Sequence, residues 1–283
     1  MSQPLAHLSV EVSRPIELLP GVVRLTAPNP GVFTGPGTNT YLIGTEQILV
    51  IDPGPDLPEH TDAIVKAAAG NIQAIAVTHT HPDHSPGAAP LAAATGAEIW
   101  GMACMTPGNN AEGWRPDRTL KADELLRVGA QSIRVLHTPG HASNHLCFLL
   151  EAERMLITGD HIMQGSTVVI SPPDGDMQQY LDSLRMLQHL ELTYLAPGHG
   201  HVIDEPQTAI SALIAHRLRR EAKVVSRLRT LGQVSVDQLV ASVYDDVDSR
   251  LHPIARHSLL AHLIKLQAER RVAEQQKELW EVL

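Results

Sequence analysis

Residues 77–87 read VTHTHPDHSPG and follow directly on the apolar run Ile72 to Val77. A short apolar run bounded by turn-forming residues reads as a buried strand, so three histidines and an aspartate arrive together at a strand end. His79 and His81 alternate, and in an extended segment both side chains face the same way. Asp83 and His84, beyond Pro82, turn toward a neighbouring position. Imidazole and carboxylate are donors that zinc accepts, and neutral histidine binds at neutral pH with little proton cost. Two adjacent ligand sets in six residues predict a two-metal site.

The same grammar recurs along the chain. Ile133 to Leu136 runs into His137-Thr138-Pro139-Gly140-His141, Met155 to Ile157 into Thr158-Gly159-Asp160-His161, and Tyr194 to Ala196 into Pro197-Gly198-His199-Gly200. Four strands that finish in polar loops predict a layered α/β structure with those loops along one edge, a common way to hold functional groups on a rigid sheet. Upstream, Thr40 to Ile43 and Ile48 to Ile51 flank Gly44 to Gln47 and read as a strand hairpin ending in the turn Asp52-Pro53-Gly54-Pro55. Helical patterns follow from Glu59 to Ala69 and from Met177 to Leu190, the latter expected to cover the sheet.

After His201 the pattern changes. Helices are expected over Thr208 to Leu231, Ser235 to Val243 and Pro253 to Glu269, then two short strands around Glu274 to Lys277, the grammar of a winged helix. The expected division is 1–205 and 206–283. Of the 283 residues, 43% are hydrophobic, enough for a sizeable core, and no run offers the roughly 20 apolar residues of a membrane span. With no charged-then-apolar leader, a soluble cytoplasmic protein is expected. The two cysteines, Cys104 and Cys147, are expected to be reduced and structural.

Within the formal net charge of −9, residues 1–205 contribute −12 and residues 206–283 contribute +3. Arg217, Arg219, Arg220, Lys223, Arg227 and Arg229 cluster around a lone acid, Glu221. This run reads either as a solvated helix face or as a surface for an anionic partner such as nucleic acid. Aromatics, at 3%, argue against extended base stacking.

The H-x-H-x-D-H pattern at 79–84, with His141, Asp160 and His199 in their loops, resembles the metallo-β-lactamase-fold superfamily. The resemblance implies an αββα sandwich over roughly 20–205. It also implies roles: His79, His81 and His141 on a first metal, Asp83, His84 and His199 on a second, and Asp160 bridging. Asn29-Pro30, Phe33-Thr34, Gly37 to Leu42, the basic stretch His216 to Glu221 and the winged-helix-like tail are similar to the beta-lactamase-like protein 2 group. That group includes a single-strand endoribonuclease and bacterial proteins described as hydrolases.

Two zinc ions sharing a hydroxide are the expected centre, with Asp83 as the catalytic residue that orients the nucleophile and moves a proton. Iron or manganese is compatible with the same donors, although the family's flavin-linked di-iron branch usually carries Glu at the position of His81. Shared by many hydrolases, this motif does not choose a substrate. The main expectation is single-stranded RNA cleavage, with hydrolysis of a thioester, small ester or lactone as the alternative. A nucleic-acid-binding module with a structural metal is a third reading, disfavoured because structural zinc sites close all four positions. His145 is expected to support a ligand by hydrogen bonding, His137 and His201 to be structural or at the rim, and His161 to be supporting or structural. Thr78 and Ser85 are not expected to act as nucleophiles, because no Ser-His-Asp arrangement is visible.

Overall fold

The computed structural model describes residues 4–103, 114–276 and 279–283; Cys104 and Lys277 lie outside the described residues. Packing divides the chain into two compact units. One comprises the chain up to Thr138 with Asn144–Val168 and Leu190–Ala209, and the other Pro139–Ser143, Val169–His189 and Ile210–Leu283.

In the first unit a seven-stranded sheet takes its strands in chain order: β1 (Pro15–Leu19), β2 (Val22–Thr26), β3 (Asn39–Ile43), β4 (Ile48–Ile51), β5 (Ile72–Ala76), β6 (Glu98–Gly101) and β7 (Arg118–Thr119). Pairing is antiparallel from β1 to β4 and parallel from β4 to β7. A second sheet comprises β8 (Leu125–Val128), β9 (Gln131–His137), β10 (Leu146–Leu150), β11 (Met155–Gly159) and β12 (Tyr194–Pro197), in the order β12-β11-β10-β9-β8. Only its β11–β12 pair is parallel.

Strand alternation divides the apolar side chains between two layers. Leu49 and Ile51 share one core with Ile133, Val135, Phe148, Leu150 and Ile157 of the other sheet. Val50 and Ile75 face outward onto Ile64 of α1 (Pro58–Ala67) and Leu91 of α2 (Ala88–Thr95). Strands β3 and β4 are buried on both faces, which explains the unbroken apolar sequence of β4, Ile-Leu-Val-Ile.

The second unit contains α3 (Met177–Gln188), most of α4 (Pro206–Leu231), β13 (Val234–Ser235), α5 (Val236–Val243), α6 (His252–Ala268), β14 (Val272–Gln276) and β15 (Leu279–Val282). The last three strands pair in the order β13-β15-β14. Ser235 caps α5 in a reciprocal box with Gln238. Val224 and Leu228 of α4, Leu239 and Val243 of α5, Leu259, Leu263 and Leu266 of α6, and Trp280 of β15 form its core. By its contacts α3 groups here, against α6, where the sequence suggested a cover for the sheet.

The basic stretch of α4 is only in part the solvated face that the sequence suggested, with Arg219 and Arg229 exposed. Arg217, Arg220 and Glu221 are buried. The Arg217 guanidinium lies over the Tyr180 ring, 5.2 Å from its centroid. Arg220 donates to Val243 O at 2.6 Å and forks onto Asp246 at 2.7 and 3.0 Å. Lys223 and Arg227 pair with Asp245, and Glu221 accepts from Lys265 at 2.7 Å and Arg271 at 2.8 Å. Arg220, Lys223 and Arg227 are thus paired with Asp245 and Asp246, and the buried Arg217 and Arg220 each meet a partner inside the unit, as a buried cation requires.

Candidate metal centre

Parallel pairing sets strand ends side by side. Ile51 of β4 lies opposite Ala76 of β5, so Asp52 falls next to the start of the histidine loop. Asp52 accepts the Thr78 backbone N–H and the Thr78 hydroxyl, both at 2.7 Å. On the second sheet Gly159 lies opposite Pro197, so the loops bearing Asp160 and His199 emerge together. The His199 loop is braced from β3: Asn39 Nδ2 donates to Pro197 O and Gly200 O at 3.0 Å, and Tyr41 Oη to Pro197 O at 2.7 Å.

Asp83, His84, Asp160 and His199 each offer one donor atom, and these atoms lie within 4.8 Å of one another. His84 Nε2 is 3.4 Å from Asp83 Oδ2 and 3.3 Å from Asp160 Oδ1; His199 Nε2 is 3.2 Å and 3.3 Å from the same two oxygens. Both nitrogens are buried and neither makes a hydrogen bond. A second group consists of one nitrogen each from His79, His81 and His141, again within 4.8 Å. His79 Nε2 and His81 Nδ1 converge to 2.9 Å, and the His79 and His84 rings, 4.3 Å apart, join the two groups. All seven residues singled out from the sequence fall in these groups, with Asp160 a member of the four-residue one.

The outer nitrogens of four of these five histidines have an assigned acceptor. His84 Nδ1 faces Asp52 Oδ2 at 2.8 Å, His199 Nδ1 faces Gly37 O at 3.1 Å, and His141 Nδ1 faces Val169 O at 2.8 Å. His79 Nδ1 lies 3.0 Å from Thr78 Oγ1, whose proton goes to Asp52, so the hydroxyl accepts from the ring. For His79, His84, His141 and His199 the proton therefore sits on Nδ1 and the Nε2 lone pair is directed inward.

The charge of the pocket favours a cation, either a proton or a metal ion in its place, at the inward nitrogens of His84 and His199. Burial opposes ionisation of Asp83, but His84 and the close His199 hold its carboxyl well below the usual carboxylate range. Burial likewise opposes charging of His84, and Asp83, Asp160 and Asp52 outweigh it. His199 is raised to about 9 against burial, chiefly by Asp160. Buried carboxylates this close hold positive charge in the pocket, and a donor set of imidazole and carboxylate with inward lone pairs fits a pair of divalent metal ions. The approach is tight at Gly198, where a Cβ would lie 2.7 Å from Asp160 Oδ1 and 2.8 Å from His84 Cε1.

Asp52, which reads in the sequence only as part of a turn, is the supporting residue that sequence reasoning missed. The available signal was its place at the end of a strand, beside the histidine loop. His145, fully buried, has Nδ1 2.9 Å from Thr138 Oγ1 and its ring 5.0 Å from that of His79. His161 is also fully buried, 5.8 Å from the His145 ring. His201 donates to Leu8 O at 3.2 Å. Thr78 is committed to Asp52, and Ser85 Oγ donates weakly to His81 O at 3.4 Å, so neither is set up as a nucleophile.

Two facing sheets with histidine and aspartate groups at their strand ends define a hydrolase of the metallo-β-lactamase type. Residues 33–199 match the metallo-beta-lactamase superfamily and residues 235–280 the beta-lactamase associated winged helix domain; the chain belongs to the metallo-beta-lactamase superfamily. It is 34% identical over 269 residues to an atrochrysone carboxyl ACP thioesterase of Aspergillus chevalieri, covering 90% of this chain and 84% of that protein. A protein of the same description from Aspergillus novofumigatus is 30% identical, covering 89% of this chain and 80% of its own length. The fold also matches a beta-lactamase domain protein from Burkholderia ambifaria, with a TM-score of 0.84 at 20% identity over 98% of this chain and 96% of that one. These relatives favour the thioester alternative over the RNA expectation. No helix among the described residues is long and apolar enough to cross a membrane.

Proposed function

We propose that this chain hydrolyses acyl thioesters, including those carried on an acyl carrier protein, at a two-metal centre. The observation that carries the substrate reading is the similarity to ACP thioesterases along most of both chains. The RNA reading rested on the resemblance to a group that includes an endoribonuclease, on the +3 tail and on the basic stretch; the burial of Arg217 and Arg220 and the pairing of Lys223 and Arg227 with Asp245 weaken the last of these.

In this reading His79, His81 and His141 hold one ion, Asp83, His84 and His199 hold the other, and Asp160 is shared. Zinc is the first expectation from the donors. A metal pair supplies a Lewis acid for the thioester carbonyl and a nucleophile ionised near neutral pH. Asp52 fixes the His84 ring and keeps its proton on Nδ1, as outer carboxylates do for ligating histidines. Gly37 O does the same for His199.

Asp83 has the most exposed carboxylate of its group, with 26% of its side chain accessible against 12% for Asp160. Held ionised, it accepts the proton of the attacking water on a carboxylate oxygen and delivers it to the departing thiolate. A thiolate is a good leaving group, its conjugate thiol having a pKa of about 8.5, so this proton delivery matters less than it would for an amide.

The test uses protein reconstituted with zinc, manganese or iron. Thiol release from acyl-CoA and acyl-ACP is followed beside cleavage of labelled single-stranded RNA at two salt concentrations. Metal-dependent thiol release without RNA cleavage supports the proposal. Salt-sensitive RNA cleavage without thiol release contradicts it, because phosphate contacts weaken steeply with salt.

A further inference from the structure

His141 donates from Nδ1 to Val169 O at 2.8 Å, and Val169 lies in a stretch, residues 167–171, that belongs to no helix or strand. Such a stretch has no ladder to fix its peptide groups, so side chains must do so. Ile170, fully buried, sends its N–H to Ser258 Oγ at 3.2 Å. Val169 O and Ile170 N are the two ends of one peptide unit. Resonance keeps that unit planar, so the serine that fixes its N–H also fixes the direction of its C=O. An engaged N–H polarises the peptide as well, which makes its oxygen the better acceptor for His141.

Packing alone would not put a hydroxyl where Ser258 stands. It is buried in α6, whose neighbouring core residues Leu259 and Leu263 are apolar, and serine is a poorer helix former than alanine or leucine. A buried hydroxyl is tolerated when it has a partner, and here that partner is the Ile170 N–H. A serine kept only to satisfy a core amide would have no bearing on the metal centre. The far end of this amide receives a ligand histidine.

The His141 loop is gripped by other parts of the same unit. Asp176 N donates to Gly140 O at 2.8 Å, and Ser183 Oγ donates to Pro139 O at 2.9 Å. A Cβ on Gly140, at φ +136°, would lie 2.3 Å from Tyr180 Cα, so the loop meets α3 this closely only as glycine. Tyr180 in turn lies under the Arg217 guanidinium of α4. Residues 139–143 and every element that holds them here belong to the second, helical unit.

We infer that Ser258 is a positioning residue of the metal centre: acting through the 169–170 peptide on His141, it lets the helical unit set the affinity of the ion that His141 holds. The inference rests on the two-metal reading and is independent of the substrate. A ring already fixed in orientation and tautomer loses less freedom when an ion binds. A firm acceptor at Nδ1 also makes the inward Nε2 more basic, as outer partners do for ligating histidines.

The experiment measures zinc affinity of the full chain by chelator competition in two backgrounds. His84→Ala leaves the set of His79, His81 and His141 intact, and His141→Ala leaves the other. Added to His84→Ala, Ser258→Ala weakens the remaining ion roughly tenfold, the low end for loss of a group that supports a ligand. Added to His141→Ala, it leaves the affinity within about twofold, as for independent sites. Ser258→Cys, similar in size and a weaker acceptor, gives a smaller fall in the His84→Ala background and decides the matter if the alanine variant does not fold. Denaturant unfolding of the metal-free proteins accompanies each pair, since a merely structural serine lowers the midpoint in both backgrounds and moves neither affinity. Unchanged affinity in the His84→Ala background, or an equal fall in both, overturns the inference and leaves the two-metal reading standing. Wild type that binds no zinc overturns both.

Discussion

The histidines and aspartates that converge on the candidate centre depend on side chains that never touch a substrate. Asp52 is the clearest case, because it receives three hydrogen bonds, from Thr78 N, Thr78 Oγ1 and His84 Nδ1. Asp52→Asn is expected to weaken metal binding about 10- to 100-fold while the protein stays folded, measured by chelator competition with bound-metal analysis. The donors themselves were legible because six consecutive positions held four of them and the others followed the same strand-end grammar. Asp52 was not, since its partners lie 26 and 32 residues away and Asp-Pro-Gly reads locally as a turn. A second buried residue sets a pH limit. Burial lowers His60 from 6.5 to about 4, and its Nε2 is held 2.8 Å from Thr40 Oγ1. The unfolded chain therefore binds the proton first. Stability is full above about pH 6.5 and declines as pH falls toward 4, by an amount on the order of 3 kcal/mol at the lower end. Chemical denaturation across that range should show the decline, and His60→Gln should flatten it.

At the scale of elements, the strands that deliver ligands and the hairpin of β3 and β4 were readable, and other sheet strands such as β10 were not. β10 is buried at all five positions and begins directly after His145, so nothing punctuates it. An unbroken apolar run of that length does not distinguish strand from helix. α2, AAPLAAAT, lacks an apolar stripe because it is mostly alanine. The charges of α4 misled for a different reason: Arg220, Lys223 and Arg227 find Asp245 and Asp246 about one helix and a turn later in the chain. A local window sees the cations without their partners. The His199 loop supports a direct test of element geometry. Gly198→Ala would drive a methyl group into Asp160 and His84, and is expected to reduce metal occupancy and lower activity at least roughly tenfold, checked by metal content and turnover together. An unaltered metal content would show that the loop yields where the contacts say it cannot.

In the molecule as a whole, a structural helical unit accompanies the catalytic chemistry, and its buried charges serve packing. Glu221 accepts from Lys265 and Arg271, and Lys265 also reaches Glu269. Glu221→Ala leaves Lys265 buried without its main partner and is expected to destabilise this unit by about 3–5 kcal/mol, read from denaturant unfolding. The family and the two-sheet architecture were both legible in the ligand motif, whereas the substrate was not, because the motif serves many hydrolytic reactions. The proposed metal centre of histidine and aspartate groups turns over thioesters only when it is loaded. Its most direct test is thiol release from an acyl-ACP by protein of measured metal content, apo, reconstituted, and reconstituted His84→Ala. Turnover is expected only in the reconstituted wild type, rising with metal content to two ions per chain. Equal thiol release by apo protein, or by His84→Ala at full rate, would contradict it.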